Sequence, residues 1–115
     1  MSKNLLLLSS LLIVILTALA TLYFNNWHKL TPKSEIDTAI NQAKFLYQGR
    51  KATSEDFSSG PCLTNALMPN WVVDIVHNPR LPIDDEVGNQ CSAYVEGRAE
   101  HFVELDTEGN FIRAR

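Results

Sequence analysis

The sequence predicts an α+β fold: an N-terminal transmembrane helix, then one amphipathic helix packed on a small antiparallel β-meander and tied by one disulfide. Three observations predict it. Leu5 to Phe24 is an uncharged apolar run, the apolar residues from Ile36 to Tyr47 recur at helical spacing, and the last 25 residues alternate around glycine-bearing turns. Length and charge bound the rest. With 115 residues, and 10 Lys and Arg against 13 Asp and Glu, the chain has room for one small folded domain beside the apolar run. That excludes a multidomain enzyme or a nucleotide-binding sheet of the usual size. A formal net charge of -3 leaves no footprint for a phosphate backbone, so no nucleic-acid partner is expected.

The apolar run reads LLLLSSLLIVILTALATLYF. Its 20 residues, at about 1.5 Å each, span a hydrocarbon layer of about 30 Å, which makes the lipid bilayer the first expected partner. Ser9, Ser10, Thr17 and Thr21 are tolerable there because their hydroxyls can bond back to helix carbonyls. Tyr23, Phe24 and Trp27 cluster at its end, at headgroup level, and His28 follows at the membrane surface. Residues 1–4 are then a cytoplasmic tip, 5–24 a transmembrane helix or signal anchor, 25–50 a juxtamembrane amphipathic helix and 51–115 a disulfide-tied β domain. Ala18-Leu19-Ala20 also fits a small-x-small cleavage site, and cleavage after Ala20 would secrete the remainder. Leu22, Tyr23 and Phe24 continue past that site, which favours a retained anchor.

Lys3 on one side and Lys29 and Lys33 on the other nearly balance under the positive-inside rule. The two cysteines break the tie. Cys62 and Cys91 suit a disulfide in an oxidising compartment, placing the N-terminus in the cytoplasm and the C-terminal domain outside it. Two unpaired buried thiols are the alternative. A CxxC redox site is excluded by the spacing, and zinc would need His or acidic partners with no local motif to bring them together.

Thr31-Pro32 is a helix entry, with Ser34 and Asp37 as a second, weaker cap. Ile36, Ala39, Ile40, Ala43, Leu46 and Tyr47 form one stripe, so a helix is expected over Lys33 to Gln48, ending near Gly49. Phe45 falls off that stripe and should be covered by the following loop or contact a partner. Gly49 to Pro61 has loop composition. Between Pro69 and Pro79 the β-branched run around Trp71, Val73 and Ile75 favours a strand, and His77 to Gln90 reads as a long irregular connection. In the last 25 residues, Glu96-Gly97-Arg98 and Asp106-Thr107-Glu108-Gly109 serve as hairpin turns. Val95 then pairs with Ala99, Ala93 with His101, Cys91 with Val103, Val103 with Ile112 and His101 with Ala114. On the other face Tyr94 pairs with Glu100, Phe102 with Arg113, and Glu100 with Arg115.

Few residues ask for chemistry. His101 would sit mid-face among Ala93, Val103 and Ala114, where it must find a partner, either as a core histidine or in a proton or metal role. His77 lies in a loop with Asp74 three residues before it, and no histidine has HxxxH or HExxH spacing. Asp84-Asp85-Glu86 could collect calcium but lacks the EF-hand pattern, and reads as a solvated turn. No GxSxG serine, phosphate loop or paired carboxylates are present, so neither catalysis nor a cofactor is expected. Trp71, Tyr94, Phe102 and Phe111 offer candidate contact surface. Asp84 to Glu108 carries eight acidic residues against Arg98, whereas Lys29 to Lys51 carries five basic against two acidic. That polarity would orient the domain over anionic lipid.

At Gly60-Pro61-Cys62-Leu63, Trp71-Val72-Val73-Asp74, His77-Asn78-Pro79-Arg80, Asn89-Gln90-Cys91 and His101-Phe102-Val103-Glu104-Leu105-Asp106, the chain resembles small signal-anchored bacterial proteins of no assigned function. The order of apolar helix, amphipathic helix, meander and distal disulfide also resembles type IV pilins and pseudopilins. It departs from them in having no Gly-Phe-Thr-like processing site and no Glu early in the apolar segment. The expected function is binding, or service as an accessory to a cell-envelope complex. The alternative is a pilin-like subunit assembling through its N-terminal helix.

Overall fold

The computed structural model describes residues 2–27 and 31–115; His28, Lys29 and the side chain of Trp27 lie outside the described residues, and with them the expected surface histidine and the third belt aromatic. The chain divides into two units, Met1–Pro32 and Lys33–Arg115. The amphipathic helix and the sheet lie together in the second unit.

Helix α1 (Lys3–Trp27) is a little longer at both ends than the apolar run. Lys3–Asn26 is long and apolar enough to cross a membrane. Its hydroxyls turn inward as expected: Ser9 donates to Leu6 O, Ser10 to Leu7 O, Thr17 to Ile13 O and Thr21 to Thr17 O. Each of these four hydroxyls thus has a partner within the helix itself.

Helix α2 (Lys33–Ala52) buries Ala39, Ala43 and Tyr47, with Ile36, Ile40 and Leu46 packed around them, the stripe expected from spacing. It continues one turn past Gln48 and runs through Gly49. Arg50 and Lys51 in that last turn complement the carbonyl end of the helix, and Arg50 also donates to Leu63 O. Phe45 is 80% exposed, so no loop covers it.

The sheet has the order β1 (Cys62–Met68), β2 (Trp71–Ile75), β3 (His101–Leu105), β4 (Phe111–Ala114). It is mixed: β1–β2 and β3–β4 are antiparallel, but β2–β3 is parallel. The expected antiparallel meander therefore holds only in part. The reason lies in β2, whose residues are buried on both faces. Trp71, Val73 and Ile75 join Val103, Leu105, Tyr47 and Phe57 against α2, while Val72 joins Cys91, Ala93, Ala99 and Phe102 on the other side. A strand without alternation suits an interior position beside β3, reached by a crossover. Between them run two single 3-10 turns, Pro82–Asp85 and Val87–Asn89, within the connection expected to be irregular.

That arrangement leaves no slot for a strand at 91–95. Ser92–Val95 is instead a short helix, α3. The side chain of Asn65, on β1, accepts a 2.9 Å bond from Ala93 N, satisfying a first-turn donor. Gly97, expected in a hairpin turn, terminates α3 at φ +76°: Arg98 N donates to Ala93 O and Gly97 N to Tyr94 O, the paired bonds of a Schellman cap. The pairings of Val95 with Ala99, Ala93 with His101, Cys91 with Val103 and Tyr94 with Glu100 are accordingly absent.

The second turn is a hairpin, held by Asp106, whose Oδ1 accepts from Glu108 N and Asn110 N. Its register is shifted by two residues from the expected one. Val103 pairs with Ala114 rather than Ile112, and Glu104 with Arg113, with a bulge before Leu105 and Phe111. A two-residue slip preserves the faces, and here it sets Arg113 opposite a carboxylate instead of Phe102. Cys62 opens β1 and Cys91 precedes α3, and the two are joined as a disulfide, with Cα atoms 4.9 Å apart.

Candidate functional site

The parallel register of β2 and β3 sets Asp74 directly beside Glu104, the single acid in each of the strands WVVDI and HFVEL. Both point away from α2, toward a cleft of about 400 Å³ walled by α3, Arg80 and β4. Glu104 is nearly buried yet well partnered. Arg113 grips it through two bonds, Nε to Oε2 at 2.8 Å and a terminal nitrogen to Oε1 at 3.1 Å. Arg80 approaches it at 3.6 Å while donating twice to Asp85 Oδ1 at 3.0 and 3.1 Å. Arg113 also lies over the ring of Phe102, which meets Tyr94 edge to face at 5.1 Å.

Asp74 has no such support. Its Oδ1 is buried and accepts no hydrogen bond. Burial first, and then the charge of Glu104, push its carboxyl up to about 7; Arg80 pulls the other way and Asp84 adds to the rise. The cleft thus has a floor carboxyl that exchanges its proton near neutrality, between a guanidinium-bound carboxylate and an aromatic pair. Such a site can recognise a polar or charged group and respond to its charge.

Residues behind the cleft hold its wall in place. His77 does not pair with Asp74, the acid three residues before it, but with Asp84. Its Nδ1 lies 2.8 Å from Asp84 Oδ1 and its Nε2 2.9 Å from Ser58 O. Two acceptors leave both ring nitrogens as donors, and the bond to Asp84 raises the histidine's pKa. Asp84 is 1% exposed, so it is not part of a solvated turn. Burial opposes its ionisation, but bonds from Leu81 N, His77 Nδ1 and His77 N prevail and hold its pKa below the usual range. This latch closes the segment that carries Arg80.

The remaining sequence candidates fall elsewhere. His101 opens β3 half-buried, stacked on Trp71 with ring centroids 4.8 Å apart; Ala93 lies on the opposite face of the sheet. Trp71 is fully buried and donates its indole N–H to Glu35 at 2.8 Å, so it offers no contact surface. Phe102 is 8% exposed and lines the cleft, whereas Tyr94 and Phe111 are each 40% exposed. Glu104, Arg80 and Arg113 gave no signal as separate residues. The signal that could have found the first was positional: one acid at the fourth place of two strands whose second, third and fifth places are apolar. Among the described residues no three His, Cys, Asp or Glu side chains gather as metal ligands. No protein-family model, curated protein or solved structure matches the chain, so a functional reading rests on the residues of this cleft.

Proposed function

We propose that the chain is a membrane-anchored binding module, its folded unit outside the cytoplasm, that receives a polar segment of a cell-envelope partner in the Asp74 cleft. The observation that carries this reading is Asp74 itself. A carboxyl with an unpartnered buried oxygen beside a second carboxylate works against folding, and such a group is retained where it meets something. Support for the anchor comes from the length and apolarity of α1, and support for the compartment from the Cys62–Cys91 disulfide. The exposed rim residues Tyr94 and Val95 supply apolar contact beside the charged floor.

The test is a photo-crosslinking amino acid placed in cells at Tyr94 or Val95, on the rim, and at Ser54, away from it. A defined adduct at the rim positions, absent at Ser54 and lost when Asp74→Asn is added, is the expected result. Adducts that ignore Asp74→Asn, or that form equally at Ser54, would overturn the cleft as the binding site.

A further inference from the structure

On α2, Lys33, Lys44 and Lys51 are all exposed, and at 100° per residue they fall within about 20° of one another around the helix. They form a row along one flank. Asn41, Phe45 and Gln48 occupy the outward side next to it, with Asp37 as the one acid in that sector. Phe45 stands 80% exposed at the rim of an apolar hollow of about 500 Å³ between α2 and β1, lined also by Leu46, Ala66 and Leu67. The hollow lies on the flank away from the lysines, but an exposed aromatic and a basic row about 100° apart around one helix are parts of an interfacial helix. Asp74 and Glu104 face away from α2, on the side of the sheet that carries the cleft.

We infer that the outward face of α2 docks on an anionic lipid surface, with Phe45 entering the headgroup layer and Lys33, Lys44 and Lys51 meeting lipid phosphates. The inference rests on reading α1 as a spanning anchor. Only residues 28–32 join the two helices in the sequence. The tether makes docking intramolecular, so a weak contact suffices. The lysine row chooses the face, since anionic lipid attracts it. Because α2 and the cleft lie on opposite faces of the sheet, docking would open the cleft away from the bilayer.

The experiment uses the full chain in nanodiscs doped with a gadolinium-chelating lipid, reading the relaxation of each backbone amide. Discs of phosphatidylcholine alone are compared with discs containing about one third phosphatidylglycerol. In the anionic discs the amides of Asn41, Phe45 and Gln48 should relax faster than those of Tyr94, Val95 and Gly97. The difference should shrink in neutral discs and at about 0.5 M salt. Lys44→Glu with Lys51→Glu should cut the docked-to-free ratio by about tenfold or more while leaving the sheet amides unshifted. Equal relaxation of α2 and α3, or no dependence on lipid charge, would overturn the proposal. So would α2 signals that broaden with protein concentration in the absence of gadolinium, which would make this face a contact between copies. A chain that leaves the discs under alkaline wash would overturn the anchor, a failure distinguishable from a chain that stays embedded with α2 free.

Discussion

Asp74 and His77 titrate within a few residues of each other, and the pKa of each is raised. The folded-state pKa of Asp74 is raised to about 7, so its contribution is fully favourable below about pH 4 and is lost as pH rises through about 7. At about 1.4 kcal/mol per pKa unit, ionising it costs at most about 4 kcal/mol, and solvent in the open cleft brings this nearer 2. The pKa of His77 is also raised, so its bond to Asp84 is fully present below about pH 6.5 and weakens above that. The pKa of Asp84 is depressed, so its contribution holds above about pH 4 and fades only in stronger acid. All three agree on a stability maximum between about pH 4 and 6.5. Asp74→Asn should therefore stabilise the domain by about 2 kcal/mol at pH 8 and by little at pH 4. Denaturant melts at the two values check it, and a variant less stable than the parent at pH 8 would mean Asp74 has a partner after all.

At the scale of elements, two glycines with similar backbone angles separate strain from crowding. Gly97 (φ +76°) ends α3 with open space where a Cβ would point, so Gly97→Ala should cost about 1 kcal/mol for the left-handed backbone alone. Gly60 (φ +69°) would place a Cβ 2.5 Å from Asp84 Oδ1. Gly60→Ala should then disturb the His77 latch as well and cost more than Gly97→Ala. Equal losses in thermal melts would refute the latch as a separate contribution. Gly97 also shows where local reading reaches its limit. A hairpin turn and a helix cap both ask for φ above zero, so the residue alone could not choose between them. What chose was non-local: Asn65 capping α3 and β2 already occupying the place beside β3. The α2 stripe, α1 and the β2 strand were legible because each is a period or run carried by its own residues. Strand β1 was not, since CLTNALM has no alternation and takes its shape from irregular pairing with β2. The cleft was legible only in its parts, because Asp74 and Glu104 meet through a parallel register 30 residues apart that no local pattern specifies.

Across the whole molecule the disulfide connects the compartment to the site. Cys91 lines the cleft and leads directly into α3, which carries Tyr94; Cys62 fixes the start of β1, whose Asn65 caps that same helix. Closing a loop between residues 29 apart restricts the unfolded chain by about 3 to 4 kcal/mol, a large share of the stability of an 83-residue unit. Cys62→Ser with Cys91→Ser should lower stability by about that amount and loosen α3 before the α2 core, because the core on the other face contains neither cysteine. Hydrogen exchange on the variant would show amides of Tyr94 and Val95 exposed while those of Ala43 and Val103 stay protected. The same bond makes the topology measurable. Protein taken from membranes without reductant should have an intact mass about 2 Da below that of the reduced chain and resist alkylation. Two free thiols in that preparation would place the folded unit in a reducing compartment and remove the support for an envelope partner. A mass lacking the residues through Ala20 would release the unit from the membrane, and the basic face of α2 would then have no bilayer held beside it.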